Sequence, residues 1–270
     1  MSLAVFICNY NHGTFIRETI MSALRSELVD VVYFTDDGSI DNSVQIAEEL
    51  SQNFKKLQIL SDEFGNLGYA ERVNHYADKL RDFDRILLLD SDDRINPGGL
   101  RLALRRMEKD RLQVLFGATS LINEAGRPTG LIDGINTPAF SYPEEISDCH
   151  VKKCGLKDCD PFVTTLLNQN WVRTTSNILF SRSTLDSVFP IPSVRTNPDW
   201  HIALSLATTQ KSSYTSIPFS EHRIHGNKVT SLSINDSKSD SKRIFEELIQ
   251  NSLSKHPHAQ IALDTNLYLI

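Results

Sequence analysis

The chain has 270 residues with 28 Lys and Arg against 34 Asp and Glu, a formal charge of −6. This argues against a general nucleic-acid or anionic-membrane binder, either of which needs a net basic face. With 40% hydrophobic and 23% charged residues, 12 Gly and 10 Pro, the composition is that of an ordinary globular chain and excludes disordered and collagen-like classes. The longest apolar run, residues 3–8, is too short for a signal-peptide core or a membrane span. Four cysteines are too few to staple a chain of this length, so a soluble, cytoplasmic protein with reduced thiols is expected.

The pattern then alternates strand and helix. Residues 3–8 form a continuous apolar strand, and 12–25 follow with apolar residues at helical spacing, namely Phe15, Ile16, Ile20, Ala23 and Leu24. Residues 29–35 read as a strand closed by Asp36-Asp37-Gly38-Ser39, with Asp41 capping the next helix. A strand over 57–60, a helix over 68–80 and a strand over 85–89 come next, the last ending in Asp90-Ser91-Asp92-Asp93; Pro97 then opens a helix to 109. Fully apolar strands alternating with helices predict a mostly parallel central sheet flanked by helices, an α/β fold. The later chain is less regular. Residues 112–122 read as one strand or two, and 123–160 are rich in Gly, Pro, Asp and Ser, a long irregular stretch of the kind that usually carries function. A helix over 162–170, a strand over 177–180, a helix from Asn197-Pro198-Asp199 to 206, a strand over 214–219 and an amphipathic helix near 243–253 complete the pattern. We therefore expect one large domain made of a regular half (1–110) and a less regular half (111–232), followed by a helical tail (233–270).

Two acidic clusters end strands, and in open α/β sheets ligands bind beyond those carboxyl ends. Carboxylates crowded there repel one another unless a cation or donor is bound. A hard divalent ion, Mg²⁺ or Mn²⁺, fits, with Asp92 the natural ligand and Asp90 its neighbour. Taken singly, each cluster could equally be turn and cap chemistry. A Gly-x-Gly-x-x-Gly after the first strand and a P-loop are both missing, and Arg94 stands where a calcium loop needs Asp or Asn. Asn197 and Pro198 put Asp199 in the first turn of a helix, whose dipole favours an ionised carboxylate able to accept a proton; plain helix stabilisation is the alternative. His225 could complete a metal site or be an ordinary loop histidine. Cys149, His150, Cys154 and Cys159 lack the spacing of common zinc sites. Trp171, Trp200 and Tyr142 could stack on sugar faces, although tryptophans flanking helices are more often core.

Taken in order, Val5-Phe-Ile-Cys-Asn-Tyr-Asn-His12, Phe34-Thr-Asp-Asp-Gly-Ser-Ile-Asp41, Asn66-Leu-Gly68, Leu87-Leu-Leu-Asp-Ser-Asp-Asp93, Asn177-Ile-Leu-Phe-Ser-Arg182, Pro198-Asp199-Trp200 and His222-Arg-Ile-His225-Gly-Asn227 resemble the signatures of the family 2 glycosyltransferases of GT-A fold, across about residues 3–232. The resemblance implies an inverting transferase that moves a sugar from a nucleotide-diphosphate sugar, a UDP-sugar foremost, to a saccharide or lipid-linked acceptor in bacterial surface polysaccharide or glycoconjugate synthesis. It also implies that 1–110 is the nucleotide-sugar-binding half and 111–232 the acceptor-binding and catalytic half, with acceptor choice in 123–160 and the following helix, and it implies roles for single residues. Asn9, Tyr10, Asn11, Asp37, Asn66, Gly68, Arg72, Asp90 and Ser91 would contact the donor, with Asp37 on the base; Asp92 and His225 would hold the metal; Asp199 would be the catalytic base. Two positions depart from the family's pattern. Val73 stands where relatives often carry Arg, with Arg72 one place earlier, and Pro198-Asp199 replaces an acidic pair. A sugar nucleotidyltransferase would need a Gly-rich basic loop after the first strand, which Asn9-Tyr-Asn-His-Gly13 does not supply. A catalytically silent nucleotide-sugar binder would not need Asp37, Asp92 and Asp199 together.

Overall fold

The computed structural model describes residues 1–61, 64–132, 166, 172–194, 197–207, 211–226 and 243–244. In chain order the elements are β1 (Leu3–Asn9), α1 (Ile16–Leu24), β2 (Val31–Asp36), α2 (Ser43–Ser51), β3 (Leu57–Leu60), α3 (Tyr69–Tyr76), β4 (Arg85–Asp90), β5 (Arg94–Ile95), α4 (Pro97–Lys109), β6 (Val114–Gly117), β7 (Thr119–Ile122) and β8 (Pro128–Ile132). After the gap come β9 (Ile178–Ser181), α5 (Leu185–Val188), α6 (Pro198–Ala207), β10 (Ser212–Thr215) and β11 (Ser220–Arg223).

Seven strands form the main sheet in the order β10-β6-β9-β4-β1-β2-β3. All its pairings are parallel except those of β9, which runs antiparallel to both β4 and β6. Strand alternation sends Leu3, Val5 and Ile7 to one face, against α1, α2 and α4, and Ala4, Phe6 and Cys8 to the other, against α3, α5 and α6. Both faces are therefore covered, which is why β1, β2 and β4 read as unbroken apolar runs. Helix α6 is buried along its whole length from Trp200 to Ala207. Strands β6, β9 and β10 enter the same sheet as β1 to β4.

A second sheet of four strands, β5-β11-β7-β8, stands beside the first. The expected strand over 112–122 divides at Ala118 between the two sheets, and the expected strand over 214–219 falls between β10 and β11. The cause is close packing at the crossover. A Cβ on Gly99 would lie 1.9 Å from the Pro218 carbonyl oxygen, and one on Gly117 would lie 2.6 Å from the Phe219 ring. The helix expected over 68–80 is regular only to Tyr76 and tightens to a 3-10 turn over Ala77–Asp82. Asp41 accepts from the Ser43 backbone N–H at 3.0 Å, with α2 beginning at Ser43 itself. The helix expected over 162–170, the cysteine cluster, Tyr142, Trp171, and the tail helix beyond 244 lie outside the described residues, as does most of the irregular stretch. Among the described residues no helix is long and apolar enough to cross a membrane.

Candidate active site and cation corner

Parallel pairing sets the strand ends side by side: Asn9 stands opposite Asp36, and Cys8 opposite Asp90. Beyond these ends, where ligands of open α/β sheets bind, lie a first corner over β1 and β2 and a second corner over β4 and β11.

In the first corner, Asp37 is buried and its carboxylate accepts from the Leu67 and Gly68 backbone N–H groups, each at 2.8 Å, and from Arg72 Nε at 3.2 Å. Arg72 is buried too and donates onward to the carbonyls of Phe64 (3.1 Å) and Gly65 (2.6 Å). Asn66 Nδ2 reaches the Asp37 carbonyl at 3.0 Å. The pair thus pins the loop 64–68 against β2, and Gly68, at φ +87°, makes the left-handed bend that opens α3. Arg72 lies one place before the position relatives use, yet it reaches Asp37. Asn9 donates to Asp36 Oδ1 (2.8 Å) and Ser39 Oγ (3.1 Å), while its own Oδ1 is buried without a partner among the described residues. Asn11, at φ 54°, exchanges hydrogen bonds with Ser39 and Ile40, and Tyr10 is exposed beside it. Burial, with Asp37 nearby, pushes the Cys8 thiol well above its usual range, so it stays an inert core thiol.

In the second corner, the Asp92 carboxylate meets His225 Nε2 at 2.7 Å, and the side chains are 11% and 2% exposed respectively. His12 comes from the β1–α1 loop, with Nδ1 2.7 Å from Ser91 Oγ. One potential ligand atom from each of His12, Asp92 and His225 lies within 4.8 Å of the others. Burial would raise the Asp92 carboxyl, but the His225 hydrogen bond and the neighbouring imidazoles hold it below its ordinary range. Burial lowers His12, opposed by Asp92, which favours the neutral ring that can ligate a metal.

Arg223, fully buried on β11, ties this corner together. Its Nε donates to the Asp92 carbonyl (2.8 Å), Nη1 to the carbonyls of Asn123 (3.1 Å) and Glu124 (3.0 Å), and Nη2 to Glu18 (2.6 Å). Its backbone N–H meets Asp93 Oδ1 at 3.0 Å, and its guanidinium lies 5.0 Å from the Phe15 ring centre, with Phe15 in turn 4.8 Å from His225. Arg94 reaches Glu18, Glu221 and the Gly126 carbonyl on the outer side. The pairing of Glu221 with Arg94 between β11 and β5 brings residues 220–225 to the acidic run.

Asp90 sits between the corners. Thr174 and Thr175 donate to its two oxygens at 2.7 and 2.6 Å, and burial followed by the charges of Asp93 and Asp92 pushes it up to about 7. Asp93 is fully buried, held by Thr174 (3.0 Å), the Arg223 N–H and His222 Nδ1 (3.1 Å). Tyr69, at the start of α3, donates to Thr175 Oγ1 at 3.4 Å; burial, with Asp90 and Asp199 both bearing on it, pushes its phenol well up. Asp199 stands in the first turn of α6. Asn197, at φ 58°, offers its carbonyl to the Trp200 and His201 N–H groups, and Pro198 takes the first helical position as expected. Trp200 is core, its Nε1 donating to the Leu166 carbonyl at 2.8 Å.

His12, Thr174, Thr175, Tyr69 and Arg223 are the site residues that sequence reasoning passed over. His12 lay inside a quoted motif, but nothing in spacing links it to Asp92, and the two threonines stand in a 3-10 turn, Thr175–Asn177 with Thr174 before it, that carries no sequence signal.

Acidic residues thus gather at the carboxyl ends of β2 and β4, with His225 against Asp92. The chain belongs to the family described as glycosyl transferase family 2, whose model matches residues 4–185. Its relatives include a chondroitin synthase of Pasteurella multocida (strain Pm70), 30% identical over 141 residues that make up 52% of this chain and 14% of that protein. A chondroitin synthase of Escherichia coli is 29% identical over 152 residues, 55% of this chain and 21% of that one. The chain thus matches 14% and 21% of these two relatives' length. The structure of S. aureus TarS 1–349 in complex with UDP-GlcNAc superposes with a TM-score of 0.70 at 17% identity, covering 97% of this chain and 70% of that one, which establishes the GT-A-type fold.

Proposed function

We propose that the protein is an inverting, metal-dependent glycosyltransferase that moves a sugar from a UDP-sugar to a hydroxyl of a saccharide or lipid-linked acceptor in bacterial polysaccharide or glycoconjugate synthesis. The observation that carries this reading is the buried cluster just past β4, where Asp92 meets His225 at 2.7 Å with His12 beside them, in a chain of the family 2 glycosyl transferases. The fold shared with TarS, of which structures exist in complex with UDP-GlcNAc and with UDP, supports the donor class. The chondroitin and hyaluronan synthases among the relatives support a polysaccharide product.

Asn9, Tyr10, Asn11, Asp37, Asn66, Gly68 and Arg72 line the nucleotide corner, where the Asp37–Arg72 pair holds the loop that borders the base. Asp90 and Ser91 flank the diphosphate. Asp92 and His225 suit a divalent cation, since a buried carboxylate beside an imidazole has the donor chemistry of Mg²⁺ or Mn²⁺ sites. When bound, such a cation supplies Lewis-acid stabilisation of charge on the departing nucleotide. Asp199, in the first turn of α6, is kept ionised by the helix N-terminus and takes the proton of the acceptor hydroxyl as that oxygen attacks the sugar. Single displacement from the face opposite the nucleotide inverts the anomeric carbon. Incubation with UDP-sugars, Mn²⁺ and oligosaccharide acceptors, with proton NMR of the product's anomeric signal, tests this: an α-linked donor gives a β-linked product. A retained configuration, or binding with no transfer to any acceptor class, contradicts the proposal.

A further inference from the structure

We propose that His12 is a third protein ligand of the cation corner, so that two imidazoles and one carboxylate make the site prefer Mn²⁺ to Mg²⁺. This rests on the reading of Asp92 and His225 as a cation site and deepens it.

A lone Asp92–His225 hydrogen bond requires no further imidazole. The structure nonetheless places a second imidazole beside it, from a distant part of the chain, with its ligand atom within 4.8 Å of both partners. The His12 ring stands edge-on to the His225 ring, centroids 5.6 Å apart, and its hydrogen bond among the described residues runs to Ser91 rather than to Asp92 or His225. A ring nitrogen tied to a neighbouring polar group while the ring faces a carboxylate and another imidazole is the usual state of a metal-ligating histidine, whose second nitrogen is oriented by such a partner. The surroundings hold this geometry. Phe15 packs on both imidazoles, at 6.2 Å from His12 and 4.8 Å from His225, and Arg223 closes the back by fixing the Asp92 carbonyl.

Selectivity follows from the donor set. Mg²⁺ takes oxygen ligands in a strict octahedron and sheds water reluctantly, whereas imidazole nitrogen suits first-row transition ions. A site built from Asp92 alone would favour neither ion strongly. Adding His225 and His12 shifts the balance toward Mn²⁺.

The test uses the full chain with UDP present. Mn²⁺ and Mg²⁺ affinities are measured by calorimetry, and pulsed electron paramagnetic resonance of bound Mn²⁺ counts directly coordinated imidazole nitrogens. The wild type should bind Mn²⁺ roughly tenfold or more tighter than Mg²⁺ and show two nitrogens. His12→Gln should show one nitrogen and lose roughly tenfold or more of Mn²⁺ affinity, with Mg²⁺ affinity little changed. His12→Asp, which restores a ligand but with oxygen, should narrow the gap between the ions. Melting curves of all three forms verify that each is folded. Two nitrogens persisting in His12→Gln, or unchanged Mn²⁺ affinity in both variants, overturns the role of His12 while leaving the cation site standing. A wild type that binds neither ion with UDP overturns both.

Discussion

The two corners of the crevice each contain a buried arginine, and the arginines are used in opposite ways. Arg72 spends its guanidinium on the Asp37 carboxylate, so that both side chains, 1% and 5% exposed, serve to hold the loop 64–68. Arg223 instead grips the Asp92 carbonyl, leaving the Asp92 carboxylate to His225. Arg223's own countercharge is Glu18, whose side chain is 45% exposed. A motif aspartate can therefore be scaffold or ligand according to which of its atoms the neighbouring arginine takes.

The sharpest way to break this comparison is to remove the carboxylate said to be available. Asp92→Asn keeps the carbonyl that Arg223 holds, so the fold should persist while turnover falls on the order of 10³-fold, the several kcal/mol that charge stabilisation of the leaving group supplies. Steady-state rates beside a melting curve check this. If Asp92→Asn unfolds with undiminished turnover per folded molecule, Asp92 is scaffold after all.

The opposite outcome is expected at the other corner. Arg72→Met strands the buried Asp37 charge and should cost about 3–5 kcal/mol in urea unfolding. Asp37→Asn combined with Arg72→Met should recover part of that loss, because no unpaired charge is left. Arg223→Met should cost less, about 2–3 kcal/mol, since Glu18 can turn to water while the carbonyls lose their donor.

A control lies outside both corners. His201 on α6 is 5% exposed with Nδ1 unpartnered among the described residues, and burial lowers its pKa to about 4. The unfolded chain, titrating near the ordinary 6.5, binds the proton first, so stability falls as pH drops from about 6.5 to 4, by about 3 kcal/mol in all. His201→Leu should flatten that part of the profile in urea unfolding at pH 7 and pH 4.5. The smallest effect belongs to Arg94, 22% exposed, whose partners Glu18 and Glu221 are 45% and 18% exposed. Arg94→Ala should shift unfolding by about 1 kcal/mol or less, and a larger loss would show that the outer pairs matter as much as Arg223.

Much of this was legible in the sequence where burial is two-sided. The runs that became β1, β2 and β4 had no polar break, and Pro97 marked the start of α4, where the structure adds Asn96 accepting from the Gly99 N–H at 3.1 Å. Strands β5 and β11 were not legible: Arg94–Ile95 is too short for any period to show, and Ser220–Arg223 is polar throughout because its side chains serve the corner rather than the core. Asp37 and Asp92 were visible as residues, but their different uses were not. That difference depends on Arg72 and Arg223, which arrive from α3 and from a strand of the second sheet.

The central claim is that Asp199 is the proton acceptor for a donor held at the cation corner. Asp199→Asn is nearly isosteric and still accepts hydrogen bonds, so UDP affinity in Mn²⁺ should be preserved and the fold should lose at most about 1 kcal/mol of helix-dipole stabilisation. Transfer rate measured on the same preparation should fall on the order of 10²-fold or more. Transfer at the wild-type rate, with a lowered melting temperature alone, would contradict the account and leave Asp199 a helix-start residue.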